Sequence, residues 1–319
     1  MNAPYQNPLQ EDERVPVSEA VHDTDRIYFA EEEEPVSAES DRTWDRIRSM
    51  LRTNKLALIA AVVIVLIVLA AIFAPVVAPY DPNVQSLADR LQGPSSRHLL
   101  GTDEFGRDVF SRLIYGSRVS LVIGLVPTCI SMTIGTILGL IAGFVGGKAD
   151  FFIMRLADVM LAFPSLLLAM LVMYTLGANL FNIFLALSLV SWAGTARIVR
   201  SQTLSLREKE FVEAATSIGV KKSTIMLRHI LPNCVPSLIV LFTMNVPGSI
   251  LSESSLSFLG IGAQPPSTSW GLMVFRSKKY LTQTPVATLS PGVAILILVL
   301  AFNFLGDGLR DAIDPYLKD

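Results

Sequence analysis

Residues 56–77 read LALIAAVVIVLIVLAAIFAPVV, running from Leu56 to Val77 without one charged side chain. At 1.5 Å per residue such a stretch covers ~33 Å as a helix, enough to cross ~30 Å of hydrocarbon. It is also longer than the apolar core of a signal peptide. Arg52 and Lys55 precede it, and Pro79-Tyr80-Asp81-Pro82 ends it. Working outward, further uncharged apolar stretches occupy Leu121–Val145, Val159–Gly177, Leu180–Ala196, Val235–Leu251 and Val286–Leu305. The expected fold is an all-α membrane protein with six transmembrane helices.

Composition agrees. Of 319 residues, 51% are hydrophobic and 17% charged, against roughly 25% charged in an ordinary globular domain. Mean hydropathy is +0.49. The first 41 residues carry 12 of the 28 acidic side chains, leaving 24 Lys and Arg against 16 Asp and Glu in the remainder. Residues 1–41, with Glu31 to Glu34 and scattered Pro and Ser, cannot bury enough surface to offset their ordering entropy and are expected to be a disordered acidic tail. In residues 42–55, Trp44, Ile47, Met50 and Leu51 recur at helical spacing among Arg46, Arg48, Arg52 and Lys55. That pattern predicts an amphipathic segment lying at the bilayer surface.

Lys and Arg in the flanks set the expected orientation. With a cytoplasmic N-terminus, sixteen fall on the inside and eight on the outside. Both termini are then cytoplasmic, and Gly177–Asn179 makes the third and fourth spans a hairpin. Gly135, Gly139, Gly143 and Gly147 recur every four residues, the pattern of a close helix–helix seam. Pro164, Pro236, Pro247 and Pro291 fall in or beside spans and predict kinks at most. Cys129 and Cys234 read as small buried side chains.

Several chemistries are missing. No full charge sits in the middle of a span, as an ion-coupled carrier usually needs, and no polar filter-like run marks a channel, though a self-contained channel stays as an alternative. Gly147-Lys148 and Lys222-Ser223 fail the phosphate-loop pattern: Ala142 and Ala149 break the first, Thr216 and Lys221 the second. His22, His98 and His229 have no metal-site spacing. No catalytic, cofactor or metal site is expected, and nothing points to nucleic acid.

The longest inside loop, residues 197–233, is more than a connector. Leu206–Ser217 reads as a short helix with Phe211, Ala214 and Ala215 on one face, and Gly219 as a corner. Ser223 can cap a second short helix over Thr224–His229, with Pro232 leading into the fifth span. On physics alone this is either a knob for another protein's groove or an amphipathic linker.

Glu213-Ala214-Ala215-x-x-x-Gly219 followed by Ile230-Leu231-Pro232 resembles the EAA coupling loop of ABC-type importer permeases. His229, three before the proline, stands where that pattern usually has an aliphatic residue. The variant His229 to Asn233 is similar to the peptide-transport branch. So are the stretch from His98 through Gly101-Thr102-Asp103-Glu104-Phe105-Gly106-Arg107-Asp108 to Arg118, the stretch Leu256 to Pro266 with Trp270-Gly271, and Gly306 to Pro315. From about Trp44 to Asp319 the chain resembles the C-type permease subunit of dipeptide/oligopeptide ABC transporters.

That resemblance implies a type I ABC importer permease in the bacterial cell membrane. It also implies a homologous permease as heterodimer partner, two cytoplasmic ATPase subunits, an extracytoplasmic solute-binding protein and a peptide cargo, with nickel chelates, glutathione or another peptide-like solute as alternatives. Glu213, Ala214, Ala215, Gly219, His229, Ile230, Leu231 and Pro232 are the implied ATPase-coupling residues. Gly101–Gly106 is read as anchoring the start of the second span through Asp103 and Arg107, with a binding-protein contact as the other reading.

Overall fold

The computed structural model describes Arg52 and residues 54–313; the expected acidic tail, most of the interfacial segment and the C-terminal Asp314-Pro315 lie outside the described residues. Among the described residues the chain is helical, with one isolated bridge between Thr102 and Asp108. The helices are α1 (Lys55–Ile72), α2 (Ala74–Val77), α3 (Val109–Val145), α4 (Gly147–Ala162), α5 (Ser165–Leu176), α6 (Leu180–Arg207), α7 (Glu210–Ser217), α8 (Lys222–Ile225), α9 (Leu231–Phe258), α10 (Trp270–Ser277) and α11 (Pro285–Ile313). Five are long and apolar enough to cross a membrane, counting Lys222–Phe258 as one, and six if the bent pair α4–α5 is one span.

That pair corrects the expected straight third span over Val159–Gly177. The chain bends by 90° between α4 and α5. Phe163 is extended, at φ −92° and ψ 140°, because the ring of Pro164 disfavours helical backbone in the residue before it. With its 12 residues, α5 reaches only ~18 Å.

The second span is likewise longer than its apolar stretch. Helix α3 has 37 residues, about 55 Å, and starts at Val109 rather than Leu121. Residues 109–120 carry Arg112 and Arg118, which end the hydropathy signal but not the helix. Asp108 caps it, accepting the N–H of Ser111 at 2.7 Å.

The central contact is α3 against α6, and three of the four periodic glycines make it. A Cβ on Gly135 would lie 2.7 Å from the carbonyl oxygen of Trp192, and one on Gly139 would lie 2.6 Å from that of Ala196. A Cβ on Gly143 would stand 2.9 Å from the carbonyl oxygen of Arg200. Both series rise together, so the helices run parallel with backbones in close approach. Gly147 lies off the seam, with nothing within 4 Å of a Cβ. Cys129 is also a correction: it is exposed, whereas Cys234 is buried.

The bundle has two differently built ends. At one, residues 78–108 fold over the start of α3 around a buried polar cluster. Asp103 accepts the N–H groups of Phe105 and Arg107 at 2.9 and 3.0 Å, and its other oxygen takes Arg107 Nε at 2.7 Å with Arg112 Nε at 3.4 Å. His98 Nδ1 lies 3.0 Å from Asp108 Oδ1. These contacts make the anchor expected of Asp103 and Arg107. Loop 177–179 is a tight hairpin: Asn179 caps α6 by accepting the Asn182 N–H at 2.8 Å, and Asn182 Nδ2 returns to the carbonyls of Leu176 and Gly177.

Candidate functional site

The other end carries the segment between α6 and α9. Helix α6 runs to Arg207, so the first short helix begins at Glu210 rather than Leu206. Val212 and Ala215, three apart on α7, are buried against Leu140 of α3, Val199 of α6 and Cys234 of α9. Phe211 is half-buried and Ala214 exposed, so the expected face of Phe211, Ala214 and Ala215 is replaced by Val212 with Ala215. Spacing alone allows either face, since Phe211 and Ala214 are also three apart; Phe211 still packs at the edge of the same cluster, and only Ala214 is turned out.

The corner after α7 is a left-handed cap. Gly219 has φ +80°, its N–H donates to the Thr216 carbonyl at 3.0 Å, and the Val220 N–H donates to the Ala215 carbonyl at 3.0 Å. These two nested bonds, with Val220 packed into the cluster that holds Ala215, form a Schellman motif. A side chain at Gly219 would meet no atom within 4 Å, so the demand for glycine is made by the backbone alone.

Beyond the corner, α8 starts at Lys222 with no side-chain cap, so Ser223 lies inside it and does not cap it. Instead of stopping at His229, the helix passes through a π-turn over Met226–Ile230 straight into α9. Pro232 explains the turn. It has no N–H to offer the Arg228 carbonyl, and its ring would collide with that carbonyl in a regular helix. Widening the register, with the Leu231 N–H donating to the Met226 carbonyl, relieves both demands. Asn233 Nδ2 then satisfies the His229 carbonyl at 2.6 Å. Of the four residues, Ile230 is fully buried, His229 and Leu231 are half-buried and Pro232 is exposed.

The outward surface is the part the sequence reading missed. Glu213 and Ala214 are exposed, and Glu213 forms no ion pair among the described residues. Ile218, one turn beyond Ala214, is 81% exposed, and Leu227, in the π-turn, is 60% exposed. These apolar side chains stand on a polar, charge-rich end of the bundle, where Lys209, Lys221, Lys222 and Arg228 are also exposed. Nothing in the notation of motifs marks Ile218 or Leu227; only the fold shows which way they face.

This helix order and bent span define the permease subunit of a type I ABC importer. The fold is that of a chain in a solved structure of the MetNI methionine ABC transporter, at TM-score 0.54 and 16% identity over 64% of this chain and 98% of that one. The chain belongs to the family of binding-protein-dependent transport system inner membrane components, matched over residues 135–319. Residues 42–94 match the N-terminal transmembrane domain of oligopeptide transport permease C.

Three curated relatives are similar over most of their lengths. The dipeptide transport system permease DppC of Alkalihalophilus pseudofirmus is 43% identical over 86% of this chain and 90% of its own. The glutathione permease GsiD of Pectobacterium atrosepticum is 44% identical over 85% and 90%. The oligopeptide permease OppC of Bacillus subtilis is 41% identical over 89% and 93%. The chain is a multi-pass inner membrane permease subunit of a binding-protein-dependent ABC transporter and works with other transporter subunits.

Proposed function

We propose that the α7–α8 knob is where cytoplasmic ATPase subunits grip this permease. Glu213, Ala214, Ala215, Gly219 and His229 to Pro232 would form and hold the grip. The observation that carries this reading is that Ile218, one turn beyond Ala214, and Leu227, in the π-turn, are apolar yet strongly exposed. Large exposed apolar side chains at a water-facing, basic end of a protein are the mark of a partner surface. In this reading Ala215 and Gly219 hold the knob's shape, Ile230 pins it to the bundle, and Glu213 supplies a charged contact at its rim.

The wider assembly follows from the same reading. A homologous permease completes the path as a heterodimer, two ATPase subunits dock below, and an extracytoplasmic binding protein delivers the solute. Both termini are cytoplasmic. The ATPase chemistry belongs to the partners, and this chain itself turns over no ATP. Relatives named for dipeptide, oligopeptide and glutathione transport support short peptides as the cargo. Because Lys222–Phe258 is a single continuous helix, displacement of the knob passes directly into α9. Such rigid-body motion suits a switch between two access states.

The test is a single cysteine at Ile218 in the assembled transporter, without Cys129 and Cys234. A short thiol-to-amine cross-linker should join it to an ATPase subunit, with a yield that changes on ATP addition. Absence of that adduct in a transporter that still imports peptide would overturn the docking assignment.

A further inference from the structure

Midway along the bundle, between α3, α5, α6 and α9, lies a cavity of about 140 Å³. That is room for about four or five waters at ~30 Å³ each. Its wall carries no charged side chain and mixes polar groups with apolar ones from Leu166, Ala169, Leu187 and Val190. Thr128 of α3 and Ser249 of α9 close the inner side, hydroxyl to hydroxyl at 2.9 Å. Ser165 at the start of α5, Ser191 of α6, and Asn245 and Ser252 of α9 add further polar groups.

The last four differ from the inner pair. Among the described residues their side chains make no hydrogen bond, and Ser165 and Ser191 are exposed while Asn245 and Ser252 are half-buried. Ser191, Asn245 and Ser252 lie on helices long and apolar enough to cross the membrane. Facing lipid, an amide and three hydroxyls would each forfeit hydrogen bonds that hydrocarbon cannot supply. Elsewhere on the same helices lipid-type side chains are exposed, among them Leu185 and Leu189 of α6 and Met244 of α9. The patch adjoins the start of α5, just past the bend at Phe163-Pro164.

We propose that this cavity is part of the wall of the solute path and receives the main-chain amides of the cargo. The step rests on the peptide reading above for the identity of the solute, but not for the existence of a wetted wall. Hydroxyl and amide groups both donate and accept, which matches a peptide backbone of any sequence. Because no charged side chain lines the cavity, this wall does not select by side-chain charge.

Single cysteines at Ser191, Asn245 and Ser252, in the assembled transporter without Cys129 and Cys234, test the wall. A permanently charged methanethiosulfonate reagent should modify all three at least an order of magnitude faster than cysteines at Leu185 and Met244. If the three react no faster than those controls, the cavity is covered by lipid or by a packed helix and the proposal fails. Asn245→Leu should lower uptake of a defined tripeptide, whereas Asn245→Gln should restore most of it. Equal uptake by Asn245→Leu and the parent would remove the cargo contact. Fast labelling that a non-peptide solute blocks and peptides do not would keep the wetted wall and overturn the peptide reading.

Discussion

The backbone N–H of Val220 reaches the carbonyl of Ala215 at 3.0 Å, over a Gly219 held at φ +80°. That bond fastens Val220, on the approach to α8, back onto α7, and it forms only if residue 219 adopts left-handed backbone. A β-branched side chain resists that conformation by on the order of 1–3 kcal/mol, although space for it is free. Gly219→Val is expected to insert and reach normal abundance yet lose ATP-driven uptake, while Ser217→Ala, at the exposed last position of α7, is expected to be silent. Immunoblots of membranes and uptake assays check both. Parental uptake by Gly219→Val would remove the corner from the coupling path.

Glycines on the α3–α6 seam are required for another reason. The Ala196 carbonyl would stand 2.6 Å from a Cβ at Gly139, whereas Gly194 has nothing within 4 Å of one. Overpacking of this kind costs ~1–3 kcal/mol or more because backbone must move. Gly139→Ala should lower the melting temperature of the purified transporter in detergent, and Gly194→Ala should leave it within error. Equal stability of the two variants would contradict the seam.

Much of this architecture was legible because membrane helices announce themselves by composition. Leu56–Val77 and Val286–Leu305 lie within or across helices whose hydropathy no other structure would use. What escaped was set by backbone and by direction. The break at Phe163-Pro164 interrupts an apolar run without changing its hydropathy, so periodicity could not separate α4 from α5. The first twelve residues of α3 carry two arginines and look like a loop to a hydropathy count, yet they form helix around a buried anchor. Gly219 and Pro232 could be singled out because each has one backbone property to contribute. Ile218 and Leu227 could not, since an exposed and a buried aliphatic residue look alike until the helix they ride on has been placed.

The polar cluster at the far end should be costly to break. Asp103 serves two backbone N–H groups and two guanidinium groups at once, with Arg107 and Arg112 both buried. Removing one member of a buried ion pair typically costs ~3–5 kcal/mol, because the remaining charge loses its partner. Asp103→Ala should therefore reduce the amount of folded protein far more than Asp81→Ala, whose carboxylate makes only a local exposed contact with the Asn83 N–H. Size-exclusion profiles of fluorescent fusions in detergent read the difference. Similar monodisperse peaks for both variants would show that the start of α3 does not depend on this anchor.

Orientation is tested from positions at the two ends. Ser96 lies in the segment folded over the start of α3, Ser267 in the loop before α10, and Ser205 near the end of α6 that leads into the knob. Ser96 and Ser205 are exposed and Ser267 is half-exposed, so accessibility to a reagent depends on the side of the membrane. The surplus of Lys and Arg on the knob side favours its retention in the cytoplasm. In intact cells, cysteines at Ser96 and Ser267 should react with a membrane-impermeant thiol reagent, and one at Ser205 should react only after permeabilisation. Labelling of Ser205 in sealed cells would invert the topology and, with it, put the α7–α8 knob beyond the reach of any cytoplasmic ATPase.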